Sequence, residues 1–456
     1  MTKVEELASY GVRASYEDMS AETRQELKIR ILDALGCAIG ALDGEPVRMI
    51  RSQVEDFGGK ELVTLIGGGR TAPDRAALYN GALVRYLDFN DSYLAKKETC
   101  HPSDNLGSVL AASEYMNRHG REFLTALAVA YQVQCRLSDR APVRAKGFDH
   151  TTQGSYAAAA GVSKALGLDV TRTAHAMAIS GTAFNALRVT RTGALSHWKG
   201  LAYPNTGFGA THAAFLAMRG ITGPLEVFEG NKGFMDAIAG PFEIDWSSED
   251  LERVRRTIVK KYNAEIHSQS ALEGILELKH EHKITPADVE AIEIAIFDVA
   301  FHIIGGGEEG DKTAVHTKEQ ADHSLQFMVA AALLDDRVMP EQYAPERIQR
   351  TDVQSLLRKI AVQPLDELSR RFPDEMPCRL RVSLANGSVL VKEKSDYEGF
   401  HTRPMRWESV VEKFERLCAT HADRSLKQEI EGAVADLDSI RVKDLTGLLA
   451  RVSAKE

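Results

Sequence analysis

The apolar residues of this chain repeat at helical spacing over most of its length. Apolar side chains that recur at i, i+3, i+4 and i+7 cover one face of a helix, so this pattern predicts amphipathic helices. Many of these segments are rich in Ala and Gly, which let helices pack closely and favour a multi-helix bundle with buried central helices. Up to about residue 260, the predicted helices are 21–42, 75–87, 106–119, 123–137, 152–166, 172–187 and 210–219.

The helical repeat is interrupted once, by segments with strand patterns. Residues 289–300 (VEAIEIAIFDVA) alternate apolar and polar side chains and are rich in β-branched residues, which is typical of a strand. Residues 378–394 (CRLRVSLANGSVLVKEK) form two alternating runs joined by Asn386–Gly387, a pair typical of the type I′ turn of a hairpin. Between them, helices are predicted at 324–334 and near 353–361.

Helical periodicity returns after Tyr397. The sequence therefore predicts a mainly α fold, in which a large all-helical domain made of residues 1–267 and 398–456 is interrupted by a small α+β domain, residues 268–397. Two domains also agree with the length, because 456 residues are too many for one compact core.

The charge balance and the cysteines exclude several functions. The chain has 56 Lys and Arg against 65 Asp and Glu, a formal net charge of −9, which disfavours nucleic acid and anionic membranes as partners. No stretch approaches the roughly 18 apolar residues of a membrane span, and the first residues do not resemble a signal peptide. The five cysteines are scattered without CxxC spacing, so we expect reduced thiols in a cytoplasmic protein and no iron–sulfur cluster.

The usual cofactor and metal motifs are absent. The glycine runs 67–69 and 305–307 lack the pattern that opens a nucleotide-binding helix, so they are predicted to be turns. His280 and His282 are two residues apart, which does not place two ligands on one helical face. The sequence therefore offers no motif for a nucleotide cofactor or a metal site.

The segment 85–108 (RYLDFNDSYLAKKETCHPSDNLGS) concentrates polar residues between two predicted helices. His101 precedes a proline, which favours extended backbone, so we expect it on a loop before a helix that Ser103 or Asp104 caps. One interpretation is a loop with helix caps and solvated acids. The other is a site in which an imidazole and one or two carboxylates, such as Asp88 and Asp91, transfer protons.

Four further stretches combine histidines with other charged groups. His150 precedes an Ala-rich helix, and Lys199 follows a histidine and a tryptophan. Residues 260–269 and 311–323 each carry lysines and histidines. A buried capping histidine, a solvated lysine and solvated charged faces are the alternative interpretations. Together, the stretches favour an anion pocket that only the fold assembles.

Six motifs occur in a characteristic order. Together they resemble the MmgE/PrpD family, and the resemblance extends over nearly the whole chain. The motifs are LDFND (87–91), HPSDN (101–105), FDH with the Ala-rich helix after it (148–160), HWKG (197–200), NAEIHSQ (263–269) and ADHSLQF (321–327).

The resemblance implies an all-helical domain with an inserted α+β lid domain, an active site in the cleft between them, a homodimer, and main activities that need no metal or organic cofactor. Members include 2-methylcitrate dehydratase, cis-aconitate decarboxylase and iminodisuccinate epimerase. These reactions take place beside a carboxylate of a small di- or tricarboxylate. Cations must therefore neutralise the substrate, and a positioned base must move a proton.

The resemblance also assigns pocket roles to residues that match its motifs. We expect His101 and His150 to act as general acid and base, because an imidazole exchanges a proton near neutral pH. Asp88 and Asp91 are expected to orient these imidazoles or to bind a substrate hydroxyl. The residues expected to bind substrate are Ser92, Lys199, Lys260, His267 and His323, of which the lysines pair with carboxylates.

The LDFND and NAEIHSQ motifs favour a dehydratase. Residues 92–100 (SYLAKKETC) and Asn263 depart from the TWLAAEWG and PAEFHAQ patterns of 2-methylcitrate dehydratases. We predict a hydro-lyase of this type, a cytoplasmic homodimer in propionate catabolism that converts 2-methylcitrate to 2-methyl-cis-aconitate. Alternatives are a cis-aconitate decarboxylase, an iminodisuccinate epimerase-like enzyme, or a catalytically silent homologue that binds a carboxylate.

Overall fold

The computed structural model describes residues 1–192, 195–307 and 310–454. Helices make up 58% of the chain and the sheets are small, so the fold is mainly α. Within the described ranges, no helix has both the length and the apolar composition needed to cross a bilayer. The chain divides into two compact units: unit 1 is Met1–Val259 with Arg406–Glu456, and unit 2 is Lys260–Met405.

The helices and strands of the described residues are numbered in chain order. The helices are α1 (Lys3–Arg13), α2 (Ala21–Gly40), α3 (Glu45–Phe57), α4 (Pro73–Tyr86), α5 (Leu106–Tyr115), α6 (Gly120–Arg140), α7 (Thr151–Leu166), α8 (Val170–Ala183), α9 (Trp198–Met218), α10 (Gln269–His282), α11 (Asp298–Ala300), α12 (Lys318–Ala321), α13 (Leu325–Asp335), α14 (Pro345–Ile348), α15 (Thr351–Leu357), α16 (Asp366–Ser369), α17 (Trp407–Leu417), α18 (Arg424–Ala435) and α19 (Val442–Leu449). The strands are β1 (Val63–Thr64), β2 (Arg70–Thr71), β3 (Tyr93–Ala95), β4 (Glu98–Cys100), β5 (Val289–Ile296), β6 (Ile360–Pro364), β7 (Cys378–Leu384) and β8 (Val389–Lys394).

Several helix ends of unit 1 follow from local chemistry. The side chains of Ser20, Asp169 and Asp423 accept hydrogen bonds from backbone amides in the first turns of α2, α8 and α18. Each bond satisfies an amide that has no partner within the helix. Gly167 ends α7 in the left-handed conformation, with φ 74°, which glycine adopts without a steric penalty.

Unit 1 is a helical bundle in which small residues let the helices approach closely. Helix α7 packs against α6, α8 and α9, and α4 packs against α5 and α9. A Cβ atom on Gly154 of α7 would lie only 2.4 Å from the ring of Tyr203 on α9. This confirms the prediction of a closely packed bundle, and it fixes Tyr203 beside the start of α7.

The bundle differs from the sequence prediction at several element ends. The predicted helix 210–219 begins much earlier, at Trp198, and the helix predicted to end at residue 119 ends at Tyr115. Residues 67–69 form the predicted turn, and all three glycines have positive φ between the short strands β1 and β2. The hairpin of β3 and β4, within the segment 85–108, has no clear alternation in the sequence and was not predicted.

Unit 2 contains a four-stranded sheet in the order β6-β5-β7-β8, in which β5 and β6 are parallel and the other neighbours antiparallel. Helix α10 packs against β7 and β8, and α13 contacts β6. The predicted hairpin of β7 and β8 is present. However, only Gly387 in its turn has positive φ (84°), so the turn is not type I′, which needs two such residues.

The segment that contains the start of strand β6 was predicted to be a helix, and this prediction is wrong. The helix expected near 353–361 ends at Leu357, and β6 follows from Ile360. Its pairing with β5, in which Ile360 lies opposite Ile292, decides the conformation. Short apolar segments are ambiguous between helix and strand until such a partner is known.

Candidate functional site

The loop after α4 is held by a buried guanidinium group. Arg85, near the end of α4, donates to Asp88 at 2.5 Å and to Asn90 at 3.3 Å, and its Nε lies 3.6 Å from Oδ2 of Asp104. Asn90 in turn donates to Ser103 and Asp104, both at 2.8 Å. The prediction that Ser103 or Asp104 caps the following helix is therefore wrong. They tie the LDFND loop to a short 3₁₀ turn, Pro102–Asn105.

Asp91 is completely buried in this loop. Its Oδ1 accepts from the backbone and the hydroxyl of Ser103, at 3.0 and 2.7 Å, and its Oδ2 accepts from Tyr131 of α6 at 2.8 Å. Burial raises the pKa of Asp91 to about 6, despite these hydrogen bonds. Its carboxylate joins the loop, the 3₁₀ turn and α6, and does not bond to either predicted catalytic imidazole.

His101 lies on the predicted loop, just before the 3₁₀ turn, and its ring is oriented by the backbone. Its Nδ1 donates to the carbonyl oxygen of Asp91 at 2.8 Å, and Oγ of Ser92 lies 3.1 Å from the same nitrogen. A carbonyl only accepts, so Nδ1 carries the proton. The lone pair of the neutral ring is then on Nε2, where it can accept a proton.

His150, at the start of α7, is oriented by a carboxylate instead. Oδ1 of Asp149 lies 3.2 Å from Nδ1 of His150. Oδ2 of Asp149 accepts from Nε of Arg191 at 2.6 Å and lies 3.6 Å from Arg188. Burial disfavours the charged form of Asp149, but His150, Arg191 and Arg188 outweigh burial and hold its pKa below the ordinary value.

The other nitrogen of His150 has a second carboxylate nearby. Nε2 is buried, lies 3.9 Å from Oδ2 of Asp104, and has no hydrogen-bond partner among the described residues. The ring stacks at 6.1 Å on Tyr203 and meets the ring of His101 edge-on at 5.4 Å between centroids. The predicted acid–base pair, His101 and His150, is therefore in direct ring contact.

Lys199 completes the cluster of unit 1. Its Nζ lies 3.4 Å from Oδ2 of Asp88, and its carbonyl oxygen accepts from Arg191 at 3.3 Å. Asp88, Lys199 and His101 keep 21%, 14% and 9% exposure, whereas His150 is 2% exposed and Asp149 is fully buried. The structure thus brings six predicted residues together, and we name them the unit 1 cluster: Asp88, Asp91, Ser92, His101, His150 and Lys199.

The other predicted residues lie in unit 2. His267 donates its backbone amide to Glu265 at 2.8 Å, and its Nδ1 lies 2.8 Å from the same carboxylate. Its Nε2 is buried and has no hydrogen-bond partner among the described residues. Nδ1 of His323 is hydrogen-bonded to the neighbouring Asp322, whose carbonyl oxygen accepts from the amide of Glu265. Glu265, His267, Asp322 and His323 form what we name the unit 2 cluster.

The charge of Glu265 is balanced by these histidines. Burial raises its pKa, but the charge and hydrogen bond of His267, with the charge of His323, outweigh burial and lower the pKa to about 2. Lys260 is buried and is the first residue of unit 2. It lies two residues after Ile258, which pairs with Ser92 through two backbone hydrogen bonds of 2.9 and 2.7 Å.

Four residues of the unit 1 cluster's surroundings were not predicted as site residues: Arg85, Asp104, Asp149 and Arg191. Asp149 and Asp104 lie within the FDH and HPSDN motifs, so their position next to the predicted histidines was the available signal. Arg191 is 42 residues from Asp149 in the chain, and no local pattern predicts that contact. Nowhere in the described ranges are three His, Cys, Asp or Glu side chains grouped as a metal ion would require.

The unit 1 cluster can carry out acid–base chemistry beside an anion. Its two imidazoles are each fixed through Nδ1, so both reactive positions are Nε2 atoms. Lys199 and Arg191 supply positive charge next to them, and each is held by an aspartate. Fixed cations and imidazoles in a water-poor site stabilise charge that develops on a substrate without reorganising first.

The sequence is similar to one protein family and to several enzymes of it. Family models described as the MmgE/PrpD N-terminal and C-terminal domains match residues 5–247 and 262–439. A 2-methylcitrate dehydratase of Cupriavidus necator is 28% identical over 94% of this chain and 92% of its own. A mitochondrial 2-methylcitrate dehydratase of Yarrowia lipolytica is 27% identical, covering 91% of this chain and 83% of that one. An alkylcitrate dehydratase of a fungal species is 27% identical over 96% and 92%.

Proposed function

The chain belongs to the MmgE/PrpD family, and from this premise we propose that it is a hydro-lyase of the 2-methylcitrate dehydratase type. The substrate is a small hydroxy-tricarboxylate, 2-methylcitrate, and the products are 2-methyl-cis-aconitate and water. The names of the relatives support this substrate. The contact between the two oriented imidazoles of the unit 1 cluster is the observation that carries the proposed chemistry.

The reaction needs one base and one acid. A carbon–hydrogen bond next to a carboxylate breaks, its electron pair forms the double bond, and the hydroxyl leaves as water after taking a proton. We assign the base to His101, because its Nδ1 proton is donated to a carbonyl and the ring accepts the substrate proton on Nε2.

His150 is assigned as the acid. A carboxylate lies beside each of its nitrogens, Asp149 at Nδ1 and Asp104 near Nε2, so the ring can hold a proton on both. It gives the Nε2 proton to the leaving hydroxyl. Because solvent does not reach this nitrogen, the proton is kept for the bound substrate.

Cations must hold the tricarboxylate. Lys199 and Ser92 are the substrate-binding groups that we propose in unit 1, and Asp88 balances the charge of Lys199 before substrate arrives. Asp91 acts structurally, through its carboxylate, and its carbonyl orients His101. The substrate-binding roles of Lys260, His267 and His323 stay predictions.

The wider setting is also part of the proposal. We propose that the enzyme needs no cofactor, since the reaction can run on side-chain acid–base groups, and that it acts as a cytoplasmic homodimer in propionate catabolism. The family resemblance of the motifs supports the homodimer, and the absence of nucleotide-binding motifs in the sequence supports the lack of a cofactor.

Incubation with 2-methylcitrate, citrate, cis-aconitate and iminodisuccinate tests the reaction. We expect ultraviolet absorbance of an unsaturated acid from 2-methylcitrate, with no carbon dioxide released. Carbon dioxide from cis-aconitate, or racemisation of iminodisuccinate, without dehydration of 2-methylcitrate would contradict the proposal. Calorimetric binding of tricarboxylates without turnover would show a silent homologue instead.

Turnover and deuterium incorporation, both measured in deuterated water, distinguish the roles of the two histidines. H101N should lose both turnover and deuterium incorporation at the methyl-bearing carbon, whereas H150N should lose turnover, by about 10²- to 10⁴-fold, but keep incorporation. H175N is the matched control, because among the described residues the side chain of His175 on α8 is hydrogen-bonded to Gly223 and to no residue of the unit 1 cluster. The reverse pattern, incorporation kept in H101N and lost in H150N, would exchange the two assignments.

A further inference from the structure

Lys413 is a buried ammonium group on α17, in the segment of unit 1 that follows unit 2 in the chain. Its side chain is 5% exposed, and its Nζ lies 2.6 Å from Oδ1 of Asp33 on α2. The same Nζ donates to the carbonyl oxygen of Phe89 at 2.8 Å and lies 3.6 Å from the centre of the Phe89 ring. The group therefore contacts the LDFND loop by a hydrogen bond and a cation–π interaction.

The position of this contact matters because the loop has an unfavourable backbone conformation. Asp88, directly before Phe89, has φ 53°, a left-handed value that residues other than glycine rarely adopt. Such a conformation persists only where its surroundings hold it. Arg85 holds the loop from the side of α4, and Lys413 holds the next peptide from the side of α17.

The same loop carries three contacts of the unit 1 cluster. The side chain of Asp88 meets Lys199, the backbone carbonyl of Asp91 orients His101, and Asn90 binds the 3₁₀ turn after His101. A shift of the Phe89 peptide moves Asp88 on one side and Asn90 and Asp91 on the other. Displacements of about 1 Å in a reacting constellation cost about 100-fold in rate.

We propose that Lys413 is a positioning residue for the proposed dehydration, and that it acts through the carbonyl oxygen of Phe89. The role rests on the proposed function, but the structural contact does not. Asp33 neutralises the ammonium group, so that a charge can be buried where the loop needs a strong hydrogen-bond donor. Without Lys413, the Phe89 peptide loses its hydrogen bond from α17, while the contacts of Asp88, Asn90 and Asp91 with other parts of unit 1 remain.

The double variant K413M/D33N tests this proposal. K413M alone removes an ammonium group from beside the buried Asp33 carboxylate, which endangers folding, whereas the double variant removes both charges. The matched control is K28M/D438N. Lys28 of α2 lies 2.6 Å from Asp438 and donates to the carbonyl oxygen of Ala435 at 2.7 Å, so it also joins α2 to the C-terminal segment. In the part of the chain that the structure describes, its ammonium group makes no hydrogen bond to the LDFND loop.

We expect K413M/D33N to melt within a few degrees of the control and to have a kcat about 10- to 100-fold below wild type. The control should keep kcat within about twofold, since it lies outside the loop. Recovery of wild-type kcat in K413M/D33N would show that Lys413 only neutralises Asp33, and it would overturn the proposal.

Hydrogen exchange separates failure of this proposal from failure of the proposed function. We expect the amides of residues 87–105 to exchange at least about tenfold faster in K413M/D33N than in K28M/D438N. If the wild-type protein does not dehydrate any tricarboxylate, the proposed function fails, and the exchange rates still decide whether Lys413 holds the loop. Unchanged exchange in this segment would overturn the proposal by itself.

Discussion

Units 1 and 2 each contain an aspartate followed directly by a histidine, and the two pairs are held differently. In unit 1, Asp149 binds Nδ1 of His150 and is also held by Arg191 at 2.6 Å. In unit 2, Asp322 binds Nδ1 of His323, and Nζ of Lys318, whose side chain is 32% exposed, lies 3.2 Å from its carboxylate. His150 is 2% exposed, whereas His323 is 19% exposed.

This difference leads to an expectation about which pair serves the proposed proton transfer. A carboxylate fixed by a buried guanidinium stays in one position when its histidine gains or loses a proton, so the imidazole is already oriented for reaction. An exposed lysine is mobile and its charge is screened by solvent, so it holds a carboxylate weakly. We therefore expect the pair in unit 1 to carry the chemistry and the pair in unit 2 to contribute little to it.

The largest effect is expected from removing the charge of Asp149. D149N should lower kcat about 10³-fold, because His150 loses the partner that fixes its Nδ1 proton, while D322N should lower it less than tenfold. Steady-state kinetics with 2-methylcitrate measures both. If D322N proved as damaging as D149N, the distinction between the two pairs would be wrong.

A second comparison concerns two buried carboxylates whose pKa values are shifted in opposite directions, Asp91 in unit 1 and Glu265 in unit 2. The pKa of Asp91 is raised from 3.8 to about 6. Ionisation of Asp91 therefore lowers the free energy of unfolding of wild type as pH rises from about 4 to about 6. D91N should therefore gain stability relative to wild type across this window, by up to about 3 kcal/mol. Chemical denaturation at a series of pH values measures the gain.

Glu265 should show the opposite slope. Its pKa is lowered from 4.5 to about 2, so its contribution to stability is fully present above about pH 4.5 and is lost as pH falls toward 2. The stability margin of wild type over E265Q should shrink in that direction. The stability of wild type relative to D91N should thus fall as pH rises, and its stability relative to E265Q should rise. Differences that change with pH in the same direction would contradict the assigned pKa shifts.

The smallest effect is expected from the lysines. K199M should raise KM for 2-methylcitrate about 10- to 100-fold, because a charged hydrogen bond to the substrate is lost, while Asp88 keeps Arg85 as its partner. K318M, which removes an exposed cation beside Asp322, should leave KM within about threefold. Equal effects of the two variants on KM would mean that Lys199 has no special role in binding.

Much of the fold and part of the site could be predicted from the sequence. Helical periodicity identified the bundle, alternation identified β5 and the hairpin of β7 and β8, and the proline after His101 placed that histidine on a loop. These features depend on neighbours in the chain, so local patterns are sufficient to find them. The family resemblance also identified six residues that the structure brings together, five of them within the motifs and Ser92 directly after one.

The contacts that orient those residues could not be predicted. The path of the loop decides which group of Asp91 meets His101. The backbone carbonyl of Asp91 does so, while its carboxylate accepts from Tyr131, 40 residues away. Arg191 reaches Asp149 over 42 residues, and Lys413 reaches Phe89 over 324. Such pairs depend on how the helices pack, which no single segment of sequence records.

The contact between Lys413 and Phe89 also has a consequence for synthesis of the protein. A growing chain completes α4 and its loop long before α17 leaves the ribosome, because domains assemble as the chain is made. During that interval, Asp88 and His101 exist without the support from Lys413. We therefore expect a molecule whose translation stops before α17 to carry its acid–base residues beside a loop that Lys413 does not yet hold.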